Sequence, residues 1–363
     1  MKKKKIVLAA VAAMLALTAC GSKEAAQPET EAKTEAQAEE TSAEAESSEE
    51  AAETEESSKE DKEEANDGEE ISVKLAVPKA PPVLPVLHMI DAGLLGENVQ
   101  LDLDVWDAPE QLIAMVQDGE HQMFAFPLTV VSKLYNKGLD VRLTNVNTWG
   151  VTYFLTTDPD LKDWAGLKGK TVYVPLQSSP PDALTQYFLK EAGLEVGKDV
   201  EIVYSTTAEI AQMLGAGTIE YATLIEPQAT AARMKNENVR TAFSFEEEWK
   251  RVKKDDSIVP NAGFGTLASF AEENPEFIEK FEAAYEESLN WVLENPAEAG
   301  ALAEEELGLN AKLVETAIPN MGLLYKGAAE AKTDLDGFYQ LLFDFEPQMI
   351  GGKIPDEAMY YQK

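Results

Sequence analysis

The stretch LKDWAGLKGKTVYVP, residues 161–175, decides the fold. Its turn Leu167-Lys168-Gly169-Lys170 leads into a β-branched run, Thr171–Val174, which predicts a strand, and a helix is predicted from Pro180 to Ala192. Strands and helices have already alternated between residues 71 and 156. The stretch therefore starts a second α/β unit inside the chain.

Strand and helix patterns alternate on both sides of this stretch. In residues 101–105, apolar and acidic side chains alternate strictly, which is the period of a half-buried strand. Repeated alternation of strands with helices predicts a mostly parallel sheet with helices on both faces. The predicted strands are 71–77, 99–106, 123–126, 141–146, 151–156, 171–174, 201–204, 221–225, 239–243 and 263–267. The predicted helices include 83–95, 180–192, 208–214, 227–234 and one that begins at Asn274-Pro275, with an apolar stripe from Phe277 to Leu293.

The formal net charge of −35 is unevenly distributed over the 363 residues. Residues 1–20 carry four lysines and no acid, residues 21–70 carry 20 acids against four lysines, and the rest of the chain is moderately acidic. An acidic surface repels polyanions, so no nucleic acid or anionic membrane surface is expected as a partner. The one cysteine, Cys20, excludes an internal disulfide, so stability has to come from an ordinary packed core.

The N-terminal segment has the pattern of an export signal. Four lysines precede an apolar run, residues 6–17, that is too short to span a bilayer. The small residues of Leu17-Thr18-Ala19-Cys20 resemble the lipobox of bacterial lipoproteins, in which cleavage precedes the cysteine and the thiol carries lipid. We therefore expect a signal peptide at residues 1–20, lipidation of Cys20 with acyl chains such as palmitate, and an extracytoplasmic protein anchored to the cell membrane by lipid.

Residues 21–70 are predicted to form a disordered acidic tether. They contain no aromatic and no branched aliphatic residue. Nothing in the segment offsets the entropy of ordering, and like charges extend it. Such a tether would let an anchored domain reach away from the membrane.

Several short motifs after residue 70 resemble a family of transport proteins. They are Asp91-Ala92-Gly93-Leu94, residues 111–119, residues 160–172 with LKGKTV, Ala216–Ala222 and Glu226-Pro227. In order and spacing they are similar to the nitrate-, sulfonate- and taurine-type substrate-binding proteins of ABC importers, which include thiamine-pyrimidine binders, over residues 72–357. Gln122 and Glu220 depart from the usual Asp of relatives, so local loop hydrogen bonds are expected to differ.

The resemblance implies the type II periplasmic-binding-protein fold, in which two α/β lobes are joined by a two-stranded hinge with a ligand cleft between them. It assigns residues 71–157 and the mainly helical residues 258–363 to lobe 1, and residues 158–257 to lobe 2. It also implies a small-molecule solute, cleft closure by hinge bending, delivery to the permease subunits of an ABC importer, a monomer, and no cofactor or metal.

The resemblance places the ligand against the loops that follow the strands. The candidate ligand-binding residues of lobe 1 are Lys79, Pro81, Trp106, Asp107, Phe126, Pro127, Thr129 and Trp149. Those of lobe 2 are Gln177, Ser178, Ser179 and Glu226. Tryptophans that end strands often pack in the core instead, so both interpretations stay open for Trp106 and Trp149.

Two of these features favour ligands of opposite charge. Ser178 or Ser179 caps the helix that begins at Pro180, and free N–H groups there favour an anion, although ordinary capping gives the same pattern. Glu226 would attract an amine, an amidine or a ring N–H, and the aromatic candidates favour a ring. We expect a partly aromatic or heterocyclic solute, with an aliphatic sulfonate or taurine as the alternative. Nitrate is disfavoured because Lys79 is the only basic candidate.

Residues suited to catalysis are few. The fold also occurs in enzymes that make the thiamine pyrimidine, but the only histidines are His88, in an apolar helix pattern, and His121, away from the cleft. The sequence has no metal-ligand spacing, phosphate loop or nucleophile elbow, which leaves Asp107 with Glu226 as the one acid-base pair to consider. We expect no enzyme activity. A ligand-sensing or adhesion lipoprotein and a pyrimidine-synthase-like enzyme are the alternatives.

Overall fold

Two β-sheets form the framework of residues 70–362, the part of the chain that the computed structural model describes. The predicted signal peptide, the lipidation of Cys20 and the tether up to residue 69 lie outside the described residues. In chain order the strands are β1 (Ile71–Pro78), β2 (Val99–Trp106), β3 (Met123–Pro127), β4 (Val141–Trp149), β5 (Thr152–Thr156), β6 (Thr171–Pro175), β7 (Glu201–Ser205), β8 (Tyr221–Ile225), β9 (Arg240–Ser244), β10 (Pro260–Leu267) and β11 (Leu323–Gly327).

Helices connect these strands and cover the sheets. The α-helices are α1 (Val83–Asp91), α2 (Pro109–Gln117), α3 (Leu128–Asn136), α4 (Pro180–Glu191), α5 (Thr207–Gly215), α6 (Gln228–Lys235), α7 (Phe245–Lys253), α8 (Ala268–Glu273), α9 (Pro275–Glu294), α10 (Pro296–Leu307), α11 (Ala311–Ala317) and α12 (Ala328–Phe345). Short 3-10 helices span Trp164–Leu167, Ile318–Asn320, Pro347–Ile350 and Glu357–Met359. None of the helices in residues 70–362 combines the length and the apolar character that a membrane crossing requires.

The strand orders are β11-β4-β10-β3-β1-β2 in the first sheet and β7-β6-β8-β5-β9 in the second. β1 pairs in parallel with β2 and β3, and β6 pairs in parallel with β7 and β8, as predicted from the alternation of strands and helices. β5 and β10 run antiparallel to both of their neighbours. Each of these two strands is the first after the chain crosses from one sheet to the other, so it enters at the edge where its neighbours end.

Three predicted boundaries need correction. α1 ends at Asp91 rather than at Leu95. β5 pairs with β8 and β9, so it lies in the second sheet, whereas the boundary at residue 157 grouped it with the first lobe. β4 continues to Trp149, so Asn147 and Thr148 lie in a buried strand rather than in a loop.

Hydrogen bonds between side chains explain why such a polar strand can be buried. Thr148 Oγ1 donates to Asn147 Oδ1 (2.9 Å), Asn147 Nδ2 donates to Asn145 Oδ1 (2.9 Å), and Asn145 Nδ2 donates to Glu282 Oε2 (2.8 Å). Burying these groups without partners would cost free energy, and the network avoids that cost.

Aromatic rings fill the core between the first sheet and α9. Phe264 on β10 packs edge-on against Phe281 (centroids 5.4 Å apart) and Tyr285 (5.0 Å), both of which belong to the predicted apolar stripe. Each fully buried ring of this size contributes roughly 1.5–3 kcal/mol. Leu293, which was also predicted in the stripe, is exposed at the surface.

Replacing Gly322 should destabilise the protein more than replacing Gly308. Both have left-handed φ values (+56° and +66°), but a Cβ on Gly322 would lie 1.6 Å from the Trp149 carbonyl oxygen, whereas one on Gly308 meets no atom within 4 Å. Gly308→Ala should cost only left-handed strain, about 1–2 kcal/mol. Gly322→Ala also has to push β11 away from β4, and we expect a loss of roughly 4 kcal/mol. Chemical denaturation measures both losses, and equal values would contradict the close approach.

Candidate ligand cleft

The carboxyl-terminal edges of the two sheets face each other where the chain crosses between them. β4 ends at Trp149 and β5 begins at Thr152, which pairs with Ile225 at the end of β8. The chain leaves the second sheet after β9, whose last residue, Ser244, pairs with Tyr153. It re-enters the first sheet at Pro260, which pairs with Trp149. Both crossings therefore join the same edges, and the loops that follow the parallel strands border the space between them.

The part of the chain built on the first sheet is called the first half below, and the part built on the second sheet the second half. One side-chain hydrogen bond links these two halves close to the crossings. The hydroxyl of Tyr153, on β5, donates to the carbonyl of Asn320, in the first half (2.9 Å). Burial raises the pKa of Tyr153 to about 12, so the hydroxyl remains a donor at neutral pH. The sequence gives no signal for this contact because the residues are 167 positions apart.

The candidates of the first half divide into buried and exposed residues. Pro81, Trp106, Phe126 and Trp149 are buried, Pro127 and Thr129 are partly buried, and Lys79 and Asp107 are exposed. Contacts within the protein explain the burial of two of these rings. Phe126 packs against Phe124 (centroids 5.4 Å apart), and the Trp149 indole N–H donates to the Leu324 carbonyl (2.7 Å).

Lys79 and Trp106 differ in how their polar atoms are used. Lys79 Nζ donates to the carbonyl of Leu307, the last residue of α10 (3.0 Å), where a cation is favourable. The indole N–H of Trp106 is buried at the end of β2 and has no hydrogen-bond partner among the described residues. A buried donor without a protein partner is uncommon. A contact between Trp106 and a ligand therefore stays a prediction.

At the start of α4, where an anion site was predicted, N–H groups are already bonded to side chains of the protein. Ser179 is the N-cap, and its hydroxyl accepts from the Asp182 N–H (3.4 Å) and donates to the Pro175 carbonyl (2.8 Å). The Ser178 N–H donates to the Asp182 carboxylate (2.9 Å). The expectation of free N–H groups at this helix start is therefore wrong for Ser178 and Asp182, because a side chain of α4 itself takes the place of an anion.

Residues before α4 form an exposed rim in an unusual backbone conformation. Leu176, Gln177 and Ser178 are all exposed, and Leu176 and Ser178 have φ values of +52° and +58°. A large apolar side chain in the left-handed region is uncommon, and such positions concentrate at binding sites. Leu176 was not among the predicted site residues, since its conformation has no signature in the sequence.

Glu226 is buried and paired rather than open to the cleft. Arg233 donates to its carboxylate, and Thr230 donates through both its N–H (2.9 Å) and its hydroxyl (3.0 Å). Burial raises the pKa of Glu226, while Arg233 and Thr230 act in the opposite direction. The free carboxylate expected from the sequence is thus neutralised. Thr230 and Arg233 follow Glu226 at spacings of four and seven, a helical pattern that could have indicated the pairing.

Arg233 also connects this ion pair to the contact between the halves. Its guanidinium lies 5.6 Å from the centroid of the Tyr153 ring. Glu226 therefore positions Arg233, Arg233 packs on Tyr153, and Tyr153 reaches Asn320. The group joins the end of β8 to the first half of the molecule.

The two histidines lie away from this edge. His88 stacks on Trp291 (centroids 3.9 Å apart) and contacts Ser288 (3.0 Å between Nδ1 and Oγ). His121 precedes β3, and its ring nitrogens contact Asp118 (2.8 Å) and Asp104 (2.9 Å). His88 thus packs against α9, and hydrogen bonds hold His121 at the turn before β3, where the sequence placed it.

A cavity on another side of the molecule contains none of the predicted site residues. It measures about 810 Å³ and is lined by α4, α7 and α12, including Tyr187, Lys253 and Leu341. Its size is in the range of small-molecule sites. Its lining follows α4 from Ala183 to Lys190 and continues along the loop to Asp199. Because it contains none of the predicted site residues, the sheet edges rather than this cavity define the candidate cleft.

Comparison with known proteins finds a matching family model and a similar curated protein. A family model described as NMT1/THI5 like matches residues 96–299. The "Putative binding protein YtlA" of Bacillus subtilis (strain 168) is 29% identical over 170 residues, 46% of this chain and 48% of that one, so the chain spans about half the length of this curated relative.

Solved structures share the fold over most of the chain. An ABC transporter structure from Parabacteroides distasonis has a TM-score of 0.68 and 24% identity, over 80% of this chain and 99% of that one. The periplasmic aliphatic sulphonate binding protein SsuA from Escherichia coli has a TM-score of 0.66 and 18% identity, over 80% and 92%. These likenesses confirm the predicted type II fold.

Removing Arg233 should lower the free energy of unfolding, because the buried Glu226 carboxylate then has no cationic partner. Arg233→Met leaves that charge uncompensated, and we expect a loss of about 3 kcal/mol near neutral pH. Without Arg233 the folded-state pKa of Glu226 rises further above its ordinary value. The folded variant then binds a proton that the unfolded chain does not, so the loss should be small near pH 4.5 and grow as the pH rises.

Arg251→Met is the matched control for this variant. Arg251 is largely exposed and pairs with Glu248 within one helix, so its loss should cost at most about 1 kcal/mol. Urea denaturation at several pH values compares the two variants. A loss for Arg233→Met that stays constant from pH 4.5 to 8 would contradict the assignment of a buried, paired carboxylate.

Proposed function

We propose, because the chain belongs to the NMT1/THI5 like family, that it is an extracytoplasmic solute-binding protein that delivers a small organic solute to an ABC importer. The observation that carries the proposal is the arrangement of the two sheets, whose carboxyl edges face each other across two adjacent crossings. Two crossings of this kind can bend together as a hinge, so the halves can close on a solute between them. The closed form would be the one that the permease subunits recognise.

A partly aromatic or heterocyclic ring is the solute we favour, and an aliphatic sulfonate is the alternative. The unpaired indole N–H of Trp106 supports a ligand with a hydrogen-bond acceptor, and Leu176 supplies apolar surface at the opposite edge. Pro81, Pro127, Thr129 and Gln177 would form the remaining wall. Asp107 and Glu226 make a poor acid-base pair because Glu226 is held by Arg233, so the proposal involves no reaction.

The proposal also includes the lipid anchor at Cys20 and a monomeric protein. A lipid-anchored binding protein stays close to its transporter without a membrane-spanning segment of its own. A lipoprotein that senses the solute for a membrane receptor would use the same cleft. Loss of solute uptake on deletion of the chain supports delivery, whereas unchanged uptake with altered signalling would favour the sensor.

A thermal-shift screen of heterocycles, amines and alkanesulfonates tests the proposal directly. A solute that binds only the folded protein raises the melting temperature by mass action, by an amount that grows with its concentration. Mass spectrometry after prolonged incubation should then recover the solute unchanged. A chemically altered solute would favour the enzyme alternative, and the absence of any stabilising compound would count against a binding protein.

Tyr153→Phe should weaken solute binding without disturbing either half. The variant keeps the ring against Arg233 but removes the hydrogen bond to Asn320, worth about 1 kcal/mol, so the Kd of the solute found in the screen should rise about fivefold. Tyr135→Phe, which removes a hydroxyl bonded to Asp356 within the first half, is the control and should leave the Kd unchanged. Calorimetric titration that gives equal Kd values for both variants would rule out a coupling role for Tyr153.

A further inference from the structure

We propose that Asp182 makes the cleft reject oxyanions, so that the solute is neutral or cationic at the end that meets α4. This inference rests on the proposed function, because it concerns the selectivity of the same cleft. It assigns a specificity-determining role to a residue of α4 that the sequence alone did not single out.

The start of α4 has few N–H donors to offer an anion. An anion at a helix start is normally held by the N–H groups of the first turn. In α4 the first two positions are Pro180 and Pro181, which have no N–H. The third N–H belongs to Asp182 and is directed to Ser179 Oγ. The first turn therefore has no uncommitted donor.

The Asp182 carboxylate occupies the position in which a bound oxyanion would otherwise be held. It accepts from the Ser178 N–H (2.9 Å), from Gln186 Nε2 (2.8 Å) and from the Tyr204 hydroxyl (3.1 Å), and its side chain is fully buried. Burial raises the pKa of Tyr204 to about 12, so this donor is protonated at neutral pH. These three donors stabilise a negative charge that belongs to the protein itself.

No cation in the described part of the chain cancels this charge. Among residues 70–362, no Lys, Arg or His nitrogen lies within 4.0 Å of the Asp182 carboxylate. Three basic groups of the described residues already have partners of their own. Arg233 pairs with Glu226, Lys326 pairs with Asp334 (2.9 Å), and Lys79 donates to the Leu307 carbonyl. An oxyanion at this edge would meet an uncompensated carboxylate, whereas a neutral or cationic group would not.

Three probes that share one benzyl group test the charge preference: phenylmethanesulfonate, benzyl alcohol and benzylamine. Calorimetric titration would compare the wild type with Asp182→Asn, which removes the charge but keeps an acceptor for Ser178. We expect the affinity for phenylmethanesulfonate to increase at least tenfold in this variant. The affinity for benzyl alcohol should change less than twofold, and the affinity for benzylamine should not increase.

A second variant and a control keep the test independent of folding. Asp182→Ser also frees the Ser178 N–H, so its affinity for phenylmethanesulfonate should equal or exceed that of Asp182→Asn, and it replaces that variant if thermal melting shows that Asp182→Asn does not fold. Asp199→Asn removes one charge from the same half at an exposed pair with Lys168 and should bind the sulfonate like the wild type.

Equal affinity of all these proteins for phenylmethanesulfonate, including no detectable binding by any of them, would overturn the role of Asp182. Tight sulfonate binding by the wild type would also overturn it, but would leave the proposed solute-binding function intact. The function itself fails if no compound of the wider thermal-shift screen stabilises the wild type. The two failures are therefore distinguishable.

Discussion

The hydrogen bond from the Gly150 N–H to the Val259 carbonyl, 2.8 Å long, holds the two chain crossings side by side. A second bond, from the Glu226 N–H to the Val151 carbonyl (3.1 Å), fixes the outgoing crossing to the end of β8. Gly150 has a φ of +55°, and a Cβ there would lie 3.0 Å from the Cβ of Glu246. The closure that we propose would rotate the two halves about these adjacent crossings and would leave both sheets intact.

The polar groups near the crossings are arranged so that most charges are neutralised within the protein. Glu226 and Arg233 form a buried pair at the end of β8, and this pair holds the guanidinium against Tyr153. Asp182 differs because its partners are neutral donors. The Asp182 carboxylate has no cationic partner among the described residues, whereas Glu226 has Arg233, which is why we assign selectivity to Asp182 rather than to Glu226.

Much of the fold could be predicted from the sequence because its strands and helices have different hydrophobic periods. The alternation from residue 71 to residue 244 and the stripe of α9 gave the correct element types. The end of β4 could not be predicted, because Asn147 and Thr148 look like loop residues until Asn145 and Glu282 supply their partners. Glu282, which completes this network, lies 137 positions from Asn145 in the sequence and becomes its neighbour only in the folded chain.

The candidate site was harder to predict for the same reason. Most loops after the strands were located correctly, except that Asn147 and Thr148 belong to β4. The hydrogen bonding and charge of their polar groups depend on contacts made after folding. Ser178 and Ser179 suggested an anion site, and only the structure shows that Asp182 fills it. Glu226 suggested a free carboxylate, although Thr230 and Arg233 follow it in the sequence at helical spacing. The contact between Tyr153 and Asn320 had no local signal at all.

The distance between one label on each half measures closure most directly. Spin labels on Cys substitutions at Glu110 and Ala208, both exposed, report this distance when Cys20 is replaced by serine. We expect a single shorter distance at saturating solute, roughly several ångströms below that of the free protein, because hinge bending would bring the carboxyl edges together. An unchanged distance distribution with solute demonstrably bound would contradict the claim that the two halves close on it.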